Sequence, residues 1–466
     1  CRVGPHIPGA AGSLPRPTQL QVAPFMTVRS HLRRRFALAP VLLVAACGQI
    51  SAEAENAAMA AAGSSFLADA AVAQQPGADA AQAPAPPRAP RDAAPAVIRG
   101  IYVNAYVAGS PARLGKLLDL AATTEINTFV VDVKDEDGIR YRSEYPLAME
   151  VTHRKSIPVA DLRALVDTLH AHGLHSVARV VVFKDRRLSG TKPEWSILTP
   201  DGGLWRDREG VSWVSPWNPE VWEYNIRVAE EAARAGFREV QFDYVRFPEA
   251  YRSLPPQVHP HARGERTDAI AGFLAEARRR LHPLGASVSA DVFGLSMNEA
   301  GDVGIGQQWE EIAGVVDHVL PMVYPSHYFP THLRGVPRPN RMPYETVQRS
   351  VGMGVIRNER LQAAGTARPA RIVPWLQAFD APWVDRTYPY GPEQLRAQTR
   401  AVYDLGLEDW ILWHPGSRYD QVAAGLEPSD ARRARSFVPS DDLVASVDGF
   451  ETQRARRQAE RIASSR

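Results

Sequence analysis

Glu239-Val-Gln-Phe-Asp-Tyr-Val-Arg-Phe-Pro248 opens with apolar residues at alternate positions, Val240 and Phe242, and stops at a proline. Val, Phe and Tyr favour strands, and proline ends pairing by removing a donor. The stretch therefore reads as a short buried strand with Asp243 near its C-terminal end and Arg246 three residues later. A carboxylate in that place is costly unless it is hydrogen-bonded, paired or used. The structural alternative is an Asp243–Arg246 ion pair.

Working outward, short apolar runs alternate with helix signals. Gly100–Tyr106, Thr128–Val133, Ser176–Phe183, Ala286–Val292, His318–Tyr324, Arg371–Gln377 and Trp410–His414 read as further strands. Between them lie helices opened by Ser110-Pro111, Pro158, Asn218-Pro219, Arg266, Trp309, Tyr344 and Pro392, several closed by glycine. Strands this apolar suggest a parallel sheet covered on both faces. The alternation fits a (β/α)8 TIM barrel. A doubly wound sheet is the competing arrangement, but no Gly-rich phosphate turn follows the first strand.

The remaining chain reads as extensions. Residues 1–25 are rich in Pro and Gly and precede the first methionine, Met26, so they are expected to be non-native or disordered. Residues 26–47 carry a basic run, a short apolar run and Val44-Ala45-Ala46-Cys47. That order marks a secretory signal peptide with a lipobox, too short to span a membrane. Cys47 is then the lipidation site, and the protein is expected to be secreted across the inner membrane and lipid-anchored in the cell envelope. Residues 48–97, rich in Ala and Pro, read as a disordered tether. The folded domain is placed at 98–425 and a charged tail at 426–466. The formal net charge of +2 gives no support for a nucleic-acid partner. Two cysteines, Cys1 and Cys47, exclude a disulfide framework and a cysteine-based zinc site in the domain. No cofactor or metal is expected. Asp135-Glu-Asp-Gly138 reads as a turn, and His259 and His261 as solvated.

In barrels of this kind the chemistry lies at the C-terminal ends of the strands. Asp132, Asp243 and Asp291 stand there on strands two, four and five, and are the candidate catalytic residues. Arg246, Asp135, Tyr324, Gln377, Trp413 and His414 are the candidate substrate-binding residues. Paired carboxylates suit glycoside hydrolysis, one as acid and the other as base or nucleophile. Asp291 is the first choice of partner for Asp243, followed by Asp132, with Tyr324 hydrogen-bonding one carboxyl. Trp413, Tyr324 and the loop tryptophans Trp195, Trp205, Trp213 and Trp217 are candidates for stacking on sugar rings. Trp222 and Trp410 are expected in the core.

Phe242-Asp-Tyr-Val-Arg-Phe-Pro248, with Asp132-Val-Lys-Asp135 and Pro321-Met-Val-Tyr-Pro325, resembles a bacterial family assigned to glycoside hydrolysis, formerly a domain of unknown function. The resemblance covers about residues 98–420 and implies a TIM barrel and carbohydrate hydrolysis. It is similar in outline to chitinase-like and polygalactosaminidase-like barrels. The chitinase pattern of spaced acids ending in Glu on strand four is missing here, so that mechanism is not implied. A polysaccharide substrate is expected. The competing function is a non-catalytic glycan-binding envelope lipoprotein.

Overall fold

The computed structural model describes residues 95–153, 157–366, 368–428 and 434–464. Cys47, the lipobox and the tether as far as residue 94 lie outside them. No helix among the described residues is long and apolar enough to cross a membrane.

Eight strands form the barrel. They are β1 (Arg99–Val103), β2 (Thr128–Asp135), β3 (His175–Val181), β4 (Glu239–Asp243), β5 (Ser287–Phe293), β6 (His318–Val323), β7 (Arg371–Ile372 and Trp375–Gln377) and β8 (Trp410–Trp413). Each pairs in parallel with the next, and β8 pairs with β1, which also pairs with β2, so the sheet closes. The (β/α)8 reading is therefore correct. Along β4, Val240 and Phe242 face the helices, while Glu239, Gln241 and Asp243 alternate with them toward the barrel interior, where Asp243 meets a side chain from β3. The outer layer joins one large apolar cluster with the helices; a second cluster, including Tyr102, Leu320, Tyr324 and Trp375, fills part of the interior.

Helix α1 (Ala105–Ala108) cuts β1 short of the expected Tyr106, because the Asn104 side chain caps it by accepting from the Val107 N–H. Helix α2 (Pro111–Thr123) starts at its proline as expected; α3 (Pro146–Val151), not foreseen from the sequence, also starts at a proline. Helix α4 begins at Leu162 and ends at Ala171, later than the expected Pro158, because the Asp161 carboxylate caps the Ala164 N–H. Strand β7 is broken at Val373-Pro374, since proline has no N–H to pair. The excursion after β3 holds α5 (Arg186–Thr191), and α6 (Pro219–Ala235) follows it, closed by Gly236 at φ 121°. Helices α7 (Arg266–Leu281), α8 (Trp309–Ala313), α9 (Pro343–Ala363) and α10 (Pro392–Asp404) complete the outer layer.

The charged tail forms a helix, α11 (Asp441–Ser464), whose Leu443 and Val447 pack on Met353 and Ile356 of α9. Trp410 is core as expected, its indole N–H donating to the Tyr403 hydroxyl. Trp222 is only half-buried. Three of the four loop tryptophans are a correction, while Trp195 is half-buried. Trp205 and Trp213 are fully buried, donating to the Pro255 carbonyl and the Asp207 carboxylate, and Trp217 is nearly so. They hold the excursion together and leave no face for a sugar. His259 is another: it sits edge-on to Trp217 and Phe247, where burial, with help from Arg266, pulls its pKa down to about 4.

Candidate active site

Side chains from all eight strands meet at the C-terminal end of the barrel. The centre is Arg179 on β3, buried and held between two carboxylates. Its Nη1 donates to Asp132 Oδ1 at 2.5 Å, and its Nε and Nη2 donate to Asp243 Oδ2 at 3.0 and 2.5 Å. Because one guanidinium bridges both acids, the path through its bonds limits their separation to about 8 Å. Tyr102 of β1 donates its hydroxyl to the other oxygen of Asp132. The Arg179 guanidinium also lies over the rings of Tyr102 and Trp413, at 5.5 and 5.2 Å, and these rings stack at 4.1 Å.

Asp291 on β5 lies one step beyond the last β4–β5 register pair, Phe242↔Ala290, beside Asp243. Trp375 of β7 reaches over the interior to donate its indole N–H to Asp291 Oδ1 at 2.7 Å. Burial, and then the negative charge of Asp243, push the Asp291 carboxyl well above the ordinary carboxylate range. One guanidinium carries a single positive charge against three carboxyl groups, and Asp291 is the one that Arg179 does not bond.

Asp243 is followed by backbone of an unusual kind. Tyr244 has φ 49°, uncommon for a bulky residue, and its N–H donates to Asp243 Oδ1 at 2.6 Å. Such conformations persist where surrounding structure fixes them, and they cluster at functional sites. Arg246 does not pair with Asp243. It bonds Glu249 at 2.9 Å and lies over the rings of Trp213 and Phe293, because the left-handed turn carries it away from the barrel axis.

Asp132 and Asp135 are three apart and would lie on opposite faces of a regular strand. A bulge in β2 changes this: Asp132 pairs with Arg179 but Lys134 with Val180, so two residues of β2 match one of β3. Lys134 turns outward to a fully buried ion pair with Asp185 at 2.8 Å. Asp135 returns to the mouth, bound by Arg140. Burial raises its pKa against the pull of Arg140. Asp135 to Gly138 forms the expected turn, leading into a two-residue antiparallel strand.

Tyr324 is buried on the far side, its phenol raised well above the ordinary range by burial and by the Asp291 and Asp243 charges. The hydrogen bonds expected of it are made by Tyr102 and Trp375. Gln377 is fully buried, with its amide accepting from the Ser326 N–H and donating to the Phe379 carbonyl. It fixes the loops after β6 and β7. His414 is buried and accepts from the Gly416 N–H. Asp132, Asp243, Asp291, Tyr324 and Trp413 are thus brought together, while Arg246, Gln377 and His414 are engaged in the surrounding loops. Among the described residues no group of three or more His, Cys, Asp or Glu stands in a metal-binding arrangement.

Arg179, Tyr102 and Trp375 were not expected here. The signal for Arg179 was present: it is the lone charge in the apolar run Val177–Phe183.

No curated protein matches the chain. Among solved structures, the fold is similar to the PgaB (BpsB) glycoside hydrolase domain from Bordetella bronchiseptica, at 15% identity and TM-score 0.50, covering 69% of this chain and 95% of that one. A hypothetical protein from Ruminiclostridium thermocellum ATCC 27405 is 38% identical over 41% of this chain and 97% of its own, with TM-score 0.37. The family model described as "Putative glycosyl hydrolase domain" matches residues 100–419, and the chain belongs to that family.

Proposed function

We propose that the protein hydrolyses glycosidic bonds of a cell-envelope or extracellular polysaccharide by paired-carboxylate chemistry. The observation that carries this is the unequal pair on β4 and β5. Asp243 is held by a guanidinium, and its neighbour Asp291 is pushed toward the neutral acid. Two carboxyl groups with environments that drive their protonation apart are suited to acid and base roles. Asp291 gives its proton to the glycosidic oxygen as the bond from that oxygen to the anomeric carbon breaks. Asp243 either attacks the anomeric carbon or deprotonates the water that does, and one water is consumed overall. Arg179 and Asp132 hold Asp243 in position, and Trp413 supplies an apolar wall for the ring.

The test is release of new reducing ends from a polysaccharide panel by the 98–425 fragment and its Asp243→Asn, Asp291→Asn and Asp132→Asn variants. We expect Asp243→Asn to fold, since Arg179 keeps Asp132 as a counter-charge, and to lose about 10²–10⁴-fold in rate. A folded Asp243→Asn variant with unchanged rate removes Asp243 from the mechanism.

The deep burial of the acids, 2–6% exposed, favours a second reading, a non-catalytic glycan binder. It predicts binding without new reducing ends, unaltered in Asp243→Asn. The location belongs to the same proposal: export and anchoring through Cys47, which intact-mass measurement of the mature N-terminus decides. An unmodified terminus elsewhere in the chain rejects it.

A further inference from the structure

Three aromatic residues stand out as exposed among the described residues: Tyr106, Phe329 and Trp383. All three follow the C-terminal ends of strands: Tyr106 in α1 after β1, and Phe329 and Trp383 in the irregular segments after β6 and β7. Trp383 is the most exposed, at 60%. Its exposed ring offers apolar area that a ligand can remove from water.

The loop that carries it is fastened on both sides. Asp380 accepts from the Tyr390 N–H at 2.7 Å and from the Gln421 amide at 2.9 Å. Asp385 accepts from Arg341 Nε at 2.6 Å, and the same arginine donates to Thr387 at 2.6 Å. The indole is thus presented by an ordered loop, which lowers the entropic cost of using it.

Trp383 is also continuous with the acid centre. Its ring lies within 15° of parallel to that of Phe379, with centroids 6.2 Å apart. Phe379 stands edge-on to Tyr324 at 5.7 Å, and the Tyr324 phenol senses the Asp291 and Asp243 charges. A row of rings therefore leads from the carboxylates to the surface.

We propose that Trp383, backed by Phe379, is a stacking subsite for a pyranose unit of the polysaccharide at a distance from the scissile bond. A pyranose ring has an apolar C–H face that covers an indole, while its hydroxyls remain at the edge for water and loop polar groups. The inference rests on the carbohydrate reading of the acid centre but concerns chain binding, not bond cleavage. Trp383 fixes the reach of the site along the polymer, so it contributes to affinity for long chains and leaves the chemical step alone.

The experiment is affinity electrophoresis of the 466-residue chain and its Trp383→Ala and Trp383→Phe variants through gels containing soluble starch, xylan, galactomannan or pectin, paired with reducing-end assays on the same polymers. The wild type is expected to be retarded by at least one polymer. Trp383→Ala is expected to weaken that retardation and raise KM about tenfold with kcat unchanged, and Trp383→Phe to restore most of both. Equal retardation of Trp383→Ala and wild type, or a wild type retarded by none of the four, overturns the subsite. Retardation that depends on Trp383 without new reducing ends supports the subsite and rejects the hydrolase. Cleavage with an unchanged KM in Trp383→Ala rejects the subsite and leaves the hydrolase standing.

Discussion

The two halves of the barrel interior are built from different materials. From β2 to β5 the inward positions near the mouth are Asp132, Arg179, Asp243 and Asp291, with Glu239, Gln241 and Ser289 below. From β6 round to β1 they are Leu320, Tyr324, Trp375, Trp413 and Tyr102. The backbone geometry is the same in both halves, so the difference lies in what each half does to a proton. The aromatic half excludes water and lowers the local dielectric. The charged half then feels its own charges strongly. That is why the Asp291 carboxyl is pushed up: it is buried, with an apolar wall and one indole N–H facing it from β7, and a negative charge sits beside it on β4.

The contrast is broken most severely at Arg179. Arg179→Met leaves Asp132 and Asp243 buried without a counter-charge, and we expect a loss of about 3–5 kcal/mol in urea denaturation, with activity abolished. A loss below about 1 kcal/mol would mean that the two acids are solvated and the halves are not distinct.

Asp291 gives the sharper test, because stability and activity should move in opposite directions. Its folded pKa is raised, so its contribution is complete below the unfolded value near pH 3.9 and is lost as pH rises through the folded value. At neutral pH the ionisable group therefore costs stability. Asp291→Asn keeps the acceptor for Trp375 and removes that cost. We expect it to be more stable than wild type by about 1 kcal/mol or more at pH 8, while reducing-end release falls about 10²–10⁴-fold. A less stable variant at that pH would contradict the assignment of the proton.

On the aromatic side, Trp413→Leu removes the stack with Tyr102 and the face presented to Arg179. About 1–2 kcal/mol is expected from thermal or urea unfolding, less than for Arg179→Met. Equal losses would erase the distinction between the halves.

The smallest effect concerns the barrel floor. Glu239 accepts from His318 at 3.0 Å and His175 at 3.2 Å. Although burial opposes both shifts, His318 and His175 hold the Glu239 pKa well below its ordinary value, and Glu239 holds that of His318 up. The His318 contribution is therefore complete below about pH 6.5 and fades as pH rises through its folded value; that of Glu239 is present above about pH 4.3 and fades as pH falls through its own. Glu239→Gln should flatten the loss of stability above about pH 6.5, seen as Tm against pH. An unchanged slope would place the dependence elsewhere.

The strands were legible because period-two and apolar signals are local. Asp132, Asp243 and Asp291 were legible because a buried strand end has few reasons to carry an acid. The ring of partners around them was not. Trp375 meets Asp291 and Tyr102 meets Asp132 only once the sheet has closed, and no spacing along the chain encodes that. The loop tryptophans misled for a related reason. An aromatic residue in an irregular segment reads as surface, but this excursion is long enough to have a core of its own around Trp205 and Trp213.

The bulge at Val133 acts as a phase shift in β2. Upstream of it, even-numbered residues point inward; downstream, odd-numbered ones do. The strand can therefore deliver two acids to one cavity and a lysine to the opposite side within four consecutive residues. Length and phase are coupled in this short interval. Flattening the bulge at unchanged length would turn the lysine into the barrel and Asp135 out of it, whereas removing Val133 would give a regular strand that still points Lys134 outward and Asp135 inward. Relatives of the same length that lack the bulge would differ in which charges their cavities contain, even where every residue of the strand is the same.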